Sequence, residues 1–321
     1  MTRGAIGFLL HPGEGDGAIA AGLAAASRCG YRTWTTVLRP HEDVATHAEG
    51  TELLVTVGGD GTFLFGARLA APRDIPVLGV NRGRLGFLTD LDLEDLPTVI
   101  AAFAEGRTRC ERRSMLSAEI VELGERLPGA PPGGSGFAAA AVPGPVLALN
   151  DVAIKSPEVA VVRLRVEADS ELLGAFDADG VVVATATGAT GYALSAGGPP
   201  IDPRVHAIVV VPLAPHAVIT RPIVLPEMTV IEITVEHGRV SAAADGQQQA
   251  ELGDGGRVRI APGPELCVVR HDGSPSFLRQ LRDKLRFGMP LKPVELERTP
   301  AEGAAGGGGP DPAQSRSGSQ P

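Results

Sequence analysis

Leu53-Leu54-Val55-Thr56-Val57-Gly58-Gly59-Asp60-Gly61-Thr62-Phe63-Leu64 is the stretch that decides how the chain folds. Its first five residues read as a buried strand, and a helical segment over 63–69 follows the glycines directly. Strand, glycine turn and helix in that order belong to open parallel sheets, whose ligands gather at the carboxyl ends of the strands. Glycines at such a place let backbone N–H groups approach an anion, and the following helix turns its positive end towards it. Gly58, Gly59, Gly61 and Thr62 are therefore expected to line a phosphate site. Asp60 is electrostatically out of place in a plain phosphate cradle. It suits a residue that takes a proton from an attacking hydroxyl or meets a metal ion.

Outward from this stretch the pattern repeats. Strands are expected over 5–10, 33–38, 52–57 and 76–80, and helices over 17–28, 63–69 and 94–105, an alternation that builds βαβ units. Residues 1–107 thus read as an α/β domain with a Rossmann-like parallel sheet. From 108 to 275 strand follows strand with few helical stretches, which reads as a β-rich, sandwich-like second domain. A helix-like segment within 276–296 is expected to return to the first domain. Residues 124–144, with PGAPPGGSG, read as a mobile insertion, and 297–321 as a disordered tail too poor in apolar residues to pack.

Composition narrows the function. With 321 residues there is room for two domains, and 43% hydrophobic with 4% aromatic residues implies an aliphatic core. Thirty-eight acidic against 29 basic residues leave a net charge of −9, which argues against nucleic acid as a partner. The three cysteines, Cys29, Cys110 and Cys267, lie far apart, so neither a zinc site nor a disulfide framework is expected, and a reducing cytoplasm fits. No apolar run reaches membrane-spanning length, so no membrane partner is expected. Gly13-Glu-Gly-Asp-Gly-Ala18 matches G-x-G-x-x-A, but Arg39 and Pro40 stand where that motif wants a ribose-binding acid. It reads as a surface loop.

Two further stretches carry chemistry. In Asp179-Gly-Val-Val-Val-Ala-Thr185-Ala-Thr187-Gly188-Ala-Thr190-Gly191-Tyr192-Ala-Leu-Ser195 a strand runs into small residues and hydroxyls. Small side chains leave room for a flat ligand, hydroxyls supply directional hydrogen bonds, and Tyr192 offers a stacking face. Asn150-Asp151, at the end of a strand, suits ribose hydroxyls or an adenine edge, although Asn-Asp is also turn chemistry.

These motifs together resemble the NAD kinase family. The match runs through Gly58–Thr62, Val80-Asn-Arg-Gly-Arg-Leu-Gly-Phe-Leu-Thr89, Ala148-Leu-Asn-Asp151, the 179–198 stretch, Ala214-Pro-His-Ala-Val-Ile-Thr-Arg-Pro222 and Asp245-Gly-Gln247. It closes with Phe277-Leu-Arg-Gln-Leu-Arg-Asp-Lys-Leu285, so it covers about residues 4–290. The resemblance implies phosphoryl transfer from ATP, or polyphosphate, to the 2′-hydroxyl of the adenosine ribose of NAD, with Mg²⁺ accompanying ATP. It implies a homodimer or homotetramer. It makes Asp60 the catalytic base, and gives NAD contacts to Asn150, Asp151, Asp179, Thr190, Gly191, Tyr192, Ser195 and Gln247. The family pattern has Glu where Asp151 stands, and Pro and Ser where Ala186 and Ala189 stand. A lipid kinase of the diacylglycerol type, which shares a GGDGT-like motif, and a paralogue acting on NADH or another nucleoside are the alternatives.

Overall fold

A computed structural model describes residues 3–38, 47–82, 86–124, 144–158, 160–216 and 220–288. The expected mobile insertion, apart from its end residues, and the expected tail lie outside them. The chain divides into two compact units, residues 1–280 and 281–321.

The first unit opens with β1 (Ala5–Leu10), α1 (Asp16–Arg28), β2 (Arg32–Val37), β3 (Thr51–Val57), α2 (Asp60–Ala70), β4 (Val77–Asn81), β5 (Leu91–Asp92) and α3 (Leu96–Ala104). Then come β6 (Arg109–Glu122), β7 (Val146–Ala148), β8 (Asp151–Lys155), β9 (Val162–Ala168), β10 (Glu171–Ala178), β11 (Gly180–Thr185) and α4 (Tyr192–Ser195). The last are β12 (Ala207–Leu213), β13 (Ile223–Pro226), β14 (Ile231–His237), β15 (Val240–Ala244), β16 (Gln247–Leu252), β17 (Arg257–Arg270) and α5 (Phe277–Leu285), whose second half belongs to the second unit.

The parallel strands lie in the order β4-β3-β1-β2. β1 and β4 are buried at every residue, as strands covered on both faces must be. Ile19, Leu96 and Ile100 from α1 and α3 pack on one face against Phe8, Val55 and Leu78. Phe63, Ala67 and Ala70 from α2 pack on the other, against Leu9, Leu54 and Val77.

The β-rich half shares a sheet with the α/β half. β17 is one 14-residue strand, and its register with β6 shifts between Pro262 and Glu265. Its far end pairs Val268 with Val77 of β4, so the parallel sheet continues through β17 into β14, β9 and β10. A second, antiparallel sheet, β13-β12-β11-β8-β15-β16, stacks on that extension. Alternating residues such as Val162, Leu164 and Val166 of β9 meet Val152, Ile154, Val181 and Val183 of the second sheet in an aliphatic core. The outer face of the second sheet is covered by its own chain, as Ala186, Ala189, Ala193 and Ile201 fold over Val182, Val209 and Val211.

One expectation is overturned. Cys110 and Cys267, 157 residues apart, are joined as a disulfide across β6 and β17, with Cα atoms 5.3 Å apart. Sequence spacing could not show this, because the pairing depends on two distant strands becoming neighbours.

Candidate active site

The chain leaves β1 to one side for β2 and returns to its other side for β3, so the topological switch point lies between β1 and β3. The GGDGT turn sits there. Gly59 caps α2 and Asp60 is the first helical residue, three residues earlier than the hydrophobic pattern suggested. An acid at the first turn is favoured by the helix dipole.

The Asp60 carboxylate leans onto the 86–89 loop. Oδ2 accepts the Phe87 N–H at 3.1 Å, and Oδ1 accepts the Leu88 N–H at 3.2 Å and the Thr89 hydroxyl at 3.3 Å. The approach is close enough that a Cβ on Gly86 would stand 1.9 Å from Oδ1. A carboxylate has about four acceptor positions. Among the described residues three are used, and the remaining one is on Oδ2. Gly59 and Gly61 are exposed, whereas Thr62 is 2% exposed and its buried hydroxyl has no hydrogen-bond partner.

The second part is the corner between β7 and β8, where Asn150 and Asp151 stand. Asp245 organises it. Its backbone N–H donates to the Asp151 carbonyl at 2.9 Å. Its Oδ1 accepts the N–H groups of Asn150 (2.8 Å) and Asp151 (3.3 Å), and its Oδ2 accepts that of Leu149 (3.1 Å) and Arg68 Nη1 (3.0 Å). The Asp245 side chain is fully buried. Asp151 is also buried, and burial, reinforced by the Asp245 charge, pushes its carboxyl up to about 7.

The third part is the turn after β11. Thr185 donates its hydroxyl to the Leu149 carbonyl at 2.6 Å and accepts the Gly188 N–H at 3.0 Å. Gly188 lies so close to the corner that a Cβ there would stand 1.9 Å from the Asn150 carbonyl oxygen. Thr190 closes the turn by donating to the Thr187 carbonyl at 3.3 Å. A Cβ on Gly191 would come 3.9 Å from Asp151 Oδ2, so the turn and the corner share one surface. Tyr192, which opens α4, is 38% exposed, with the Lys155 ammonium 5.8 Å from its ring centre. Burial, then the charges of Asp151 and Asp179, raise its phenol. Asp179 and Tyr192 line a cleft of about 340 Å³ together with Lys155 and Leu213. Ser195, at the end of α4, and Gln247, which opens β16, are exposed.

The structure therefore gathers Asn150, Asp151, Thr190, Gly191 and Tyr192, with Asp179 across the cleft. In the Asp245-Gly-Gln247 motif it is Asp245, not Gln247, that holds the corner. A signal for it exists in the sequence. Asp-Gly between two strands marks a two-residue hairpin turn, and Asp245 and Gly246 take φ of 48° and 74°. Arg68 carries no comparable signal.

Residues 20–108 match the ATP-NAD kinase N-terminal domain and residues 149–270 the ATP-NAD kinase C-terminal domain. The chain belongs to the NAD kinase family. An NAD kinase of Heliobacterium modesticaldum is 35% identical over 252 residues, covering 78% of this chain and 83% of that protein. One of Ralstonia nicotianae is 36% identical over 250 residues, covering 77% and 76%. Among solved structures, an Archaeoglobus fulgidus NAD kinase in complex with ATP is 25% identical with a TM-score of 0.62, covering 88% of this chain and 97% of that one. Yeast NADH kinase complexed with NADH shares the fold at 22% identity, with a TM-score of 0.73 and 91% of each chain covered. Membership makes this chain a phosphotransferase that acts on NAD. The family's Pro and Ser positions, Ala186 and Ala189 here, are buried among apolar side chains, away from the cleft surface.

Proposed function

We propose that the chain transfers the γ-phosphoryl group of ATP to the 2′-hydroxyl of the adenosine ribose of NAD, with Asp60 accepting the hydroxyl proton. One observation carries this reading. The α2 helix bears Asp60 at its first residue and, eight residues on, Arg68, whose partner Asp245 shapes the Asn150-Asp151 corner. At 1.5 Å per residue the two ends lie about 12 Å apart along the helix, within reach of one bound dinucleotide. Gly59 and Gly61 would meet the phosphates through backbone N–H groups, while Gly58, whose N–H is donated to the Val80 carbonyl at 3.0 Å, would shape the turn that presents them. Thr62, being buried, would act only by packing beneath Gly58 of the turn. Asn150 and Asp151 would hold the ribose, Thr190, Gly191 and Tyr192 the base, and Asp179, Ser195 and Gln247 the outer parts of NAD.

The free acceptor position on Asp60 Oδ2 is the one a ribose hydroxyl would use. Mg²⁺ fits as an ion carried by the ATP phosphates: it keeps several waters and needs no protein cage, and among the described residues no three His, Cys, Asp or Glu side chains cluster to form one. When bound it would neutralise phosphate charge and leave the proton to Asp60. Polyphosphate could present the same terminal group. A homodimer or homotetramer is supported by the exposed Ile223 and Val224 on the edge strand β13. A cytoplasmic location accords with the two nucleotides used, and the Cys110–Cys267 bond would meet reductant there through the exposed Cys110. Incubation with Mg²⁺ and γ-labelled ATP should label NAD at the 2′ position. Label appearing on diacylglycerol instead, or on no acceptor, would overturn the assignment.

A further inference from the structure

The amino end of β6 and the carboxyl end of β17 border a second cleft, of about 360 Å³, that shares no lining residue with the GGDGT turn or the Asn150-Asp151 corner. Four arginines line it, Arg109, Arg113, Arg204 and Arg270, against two acids, Glu111 and Asp202. The lining side chains carry an excess of two positive charges, and of one once Asp90 behind Arg270 is counted, in a chain whose net charge is −9. The acids are already engaged. Glu111 bridges Arg113 (2.6 Å) and Arg270 (3.4 Å), and Asp202 pairs with Arg204 (2.7 Å). Arg270 has a further partner in Asp90 (2.7 Å), while exposed Arg109 has none among the described residues.

Arg113 is the unusual member. It is 6% exposed, and its buried Nε has no hydrogen-bond acceptor among the described residues. An unsatisfied charged donor in a protein interior is costly unless a ligand or another group meets it. Burial lowers its guanidinium from the usual range, Glu111 opposes that, and the charge of Arg270 adds to it. An anion beside it would relieve both unfavourable effects. Ser276 and the first turn of α5, Phe277 to Gln280, line the same cleft and add the partial positive charge of a helix start. Planar guanidinium forks converging on one space match the tetrahedral oxygens of phosphate.

We propose that this cleft is a second ligand site, one that binds a small phosphate-bearing anion. It adjoins two of the three parts of the active site. Arg113 Nη1 donates to the Thr187 hydroxyl (3.2 Å) in the turn after β11, and Asp90, which holds Arg270, follows Thr89, a partner of Asp60.

The test is calorimetric titration of inorganic pyrophosphate into the full chain, with the GGDGT site saturated by a non-hydrolysable ATP analogue. The wild type is compared with the Arg109→Ala/Arg204→Ala double variant. Both side chains are exposed, so the variant should keep its fold by circular dichroism and its turnover of NAD. The expected result is binding by the wild type, weakened by salt, and at least about tenfold weaker binding by the variant. Equal affinity in the two proteins, or no binding by either, would overturn the proposal. Parallel titrations with adenosine 5′-monophosphate and with inorganic phosphate, each read as the binding that the double variant loses, separate the sources of the phosphate. Tighter binding than inorganic phosphate indicates a nucleotide, and equal binding indicates that the phosphate alone is read.

Discussion

Arg68 and Asp245 meet as an ion pair, Nη1 to Oδ2 at 3.0 Å, and Arg68 fills the last acceptor position of a carboxylate that already holds three backbone N–H groups. Asp60 has three of its four positions filled. The contrast separates two acids that one helix links. Asp245 has no lone pair left for substrate and acts by shaping the Leu149–Asp151 backbone, whereas Asp60 keeps one for chemistry. Arg68 also stacks over the Phe65 ring, its guanidinium carbon 5.9 Å from the ring centre, which steadies it along α2.

Replacing Arg68 by Met should therefore damage stability and nucleotide binding together. The variant keeps the apolar stem but leaves a fully buried carboxylate without its counter-charge, a loss of about 3 kcal/mol. Urea denaturation would read the stability, and the KM for NAD should rise because the corner loosens. A variant within about 0.5 kcal/mol of wild type, the range of ordinary surface substitutions, would show that the three N–H groups suffice for Asp245.

Asp60→Asn should lower kcat by roughly a hundredfold or more, the contribution expected of a general base. The amide also places an NH₂ group against the Phe87 N–H or, in the other orientation, against the donors of Leu88 and Thr89, so the loop will shift. Gly86→Ala isolates the effect of position. It retains the carboxylate, but the added methyl would stand 1.9 Å from Oδ1 and must displace it. Both variants should lose turnover while NAD binding, read by calorimetry, changes much less. Full turnover in Gly86→Ala would mean that the carboxylate can work from elsewhere.

The strand and helix alternation, and the placement of Gly58–Thr62 at a strand end, are legible in the sequence because they follow from short-range patterning. β8 escapes such a reading because Asn150-Asp151 has turn chemistry, and the chain does turn there before pairing Asp151 with Ala184 of β11. The contacts that define the site are the non-local ones. Asp60 meets residues 27 to 29 positions away, and Arg68 meets an acid 177 positions away. No periodicity encodes such distances. The disulfide between Cys110 and Cys267 is hidden for the same reason.

Gly188→Ala tests whether the turn after β11 and the Asn150-Asp151 corner act as one unit. A methyl 1.9 Å from the Asn150 carbonyl oxygen cannot be accommodated without moving one of the two. Overpacking of this kind costs about 1–3 kcal/mol. The KM for NAD should rise with the loss of stability, since Asp151 and Gly191 face each other across the join. Unchanged KM in a destabilised variant would show that the corner does not contact the nucleotide.

Asp151 should give the protein a pH-dependent stability of unusual sign for a carboxylate. Its folded-state value, about 7, lies above the ordinary 3.8 because burial and Asp245 disfavour the charge. Below the ordinary value both folded and unfolded chains hold the proton, and the group has no effect. Between there and about pH 7 the folded chain keeps the proton while the unfolded chain has released it, so stability falls as pH rises. Above 7 the cost is complete and the slope vanishes. A shift of this size corresponds to a cost on the order of 4 kcal/mol, as an upper bound. Asp151→Asn mimics the protonated form and should remove the slope, making the variant more stable than wild type at pH 8 and nearly equal at about pH 3, below the ordinary value. Denaturation midpoints across that range, taken as the difference between the two proteins, cancel the contributions of every other titrating group. Parallel curves for wild type and variant would show that Asp151 is charged in the folded protein throughout, and that the Asp245 charge beside it is offset by the N–H groups and Arg68 that surround it.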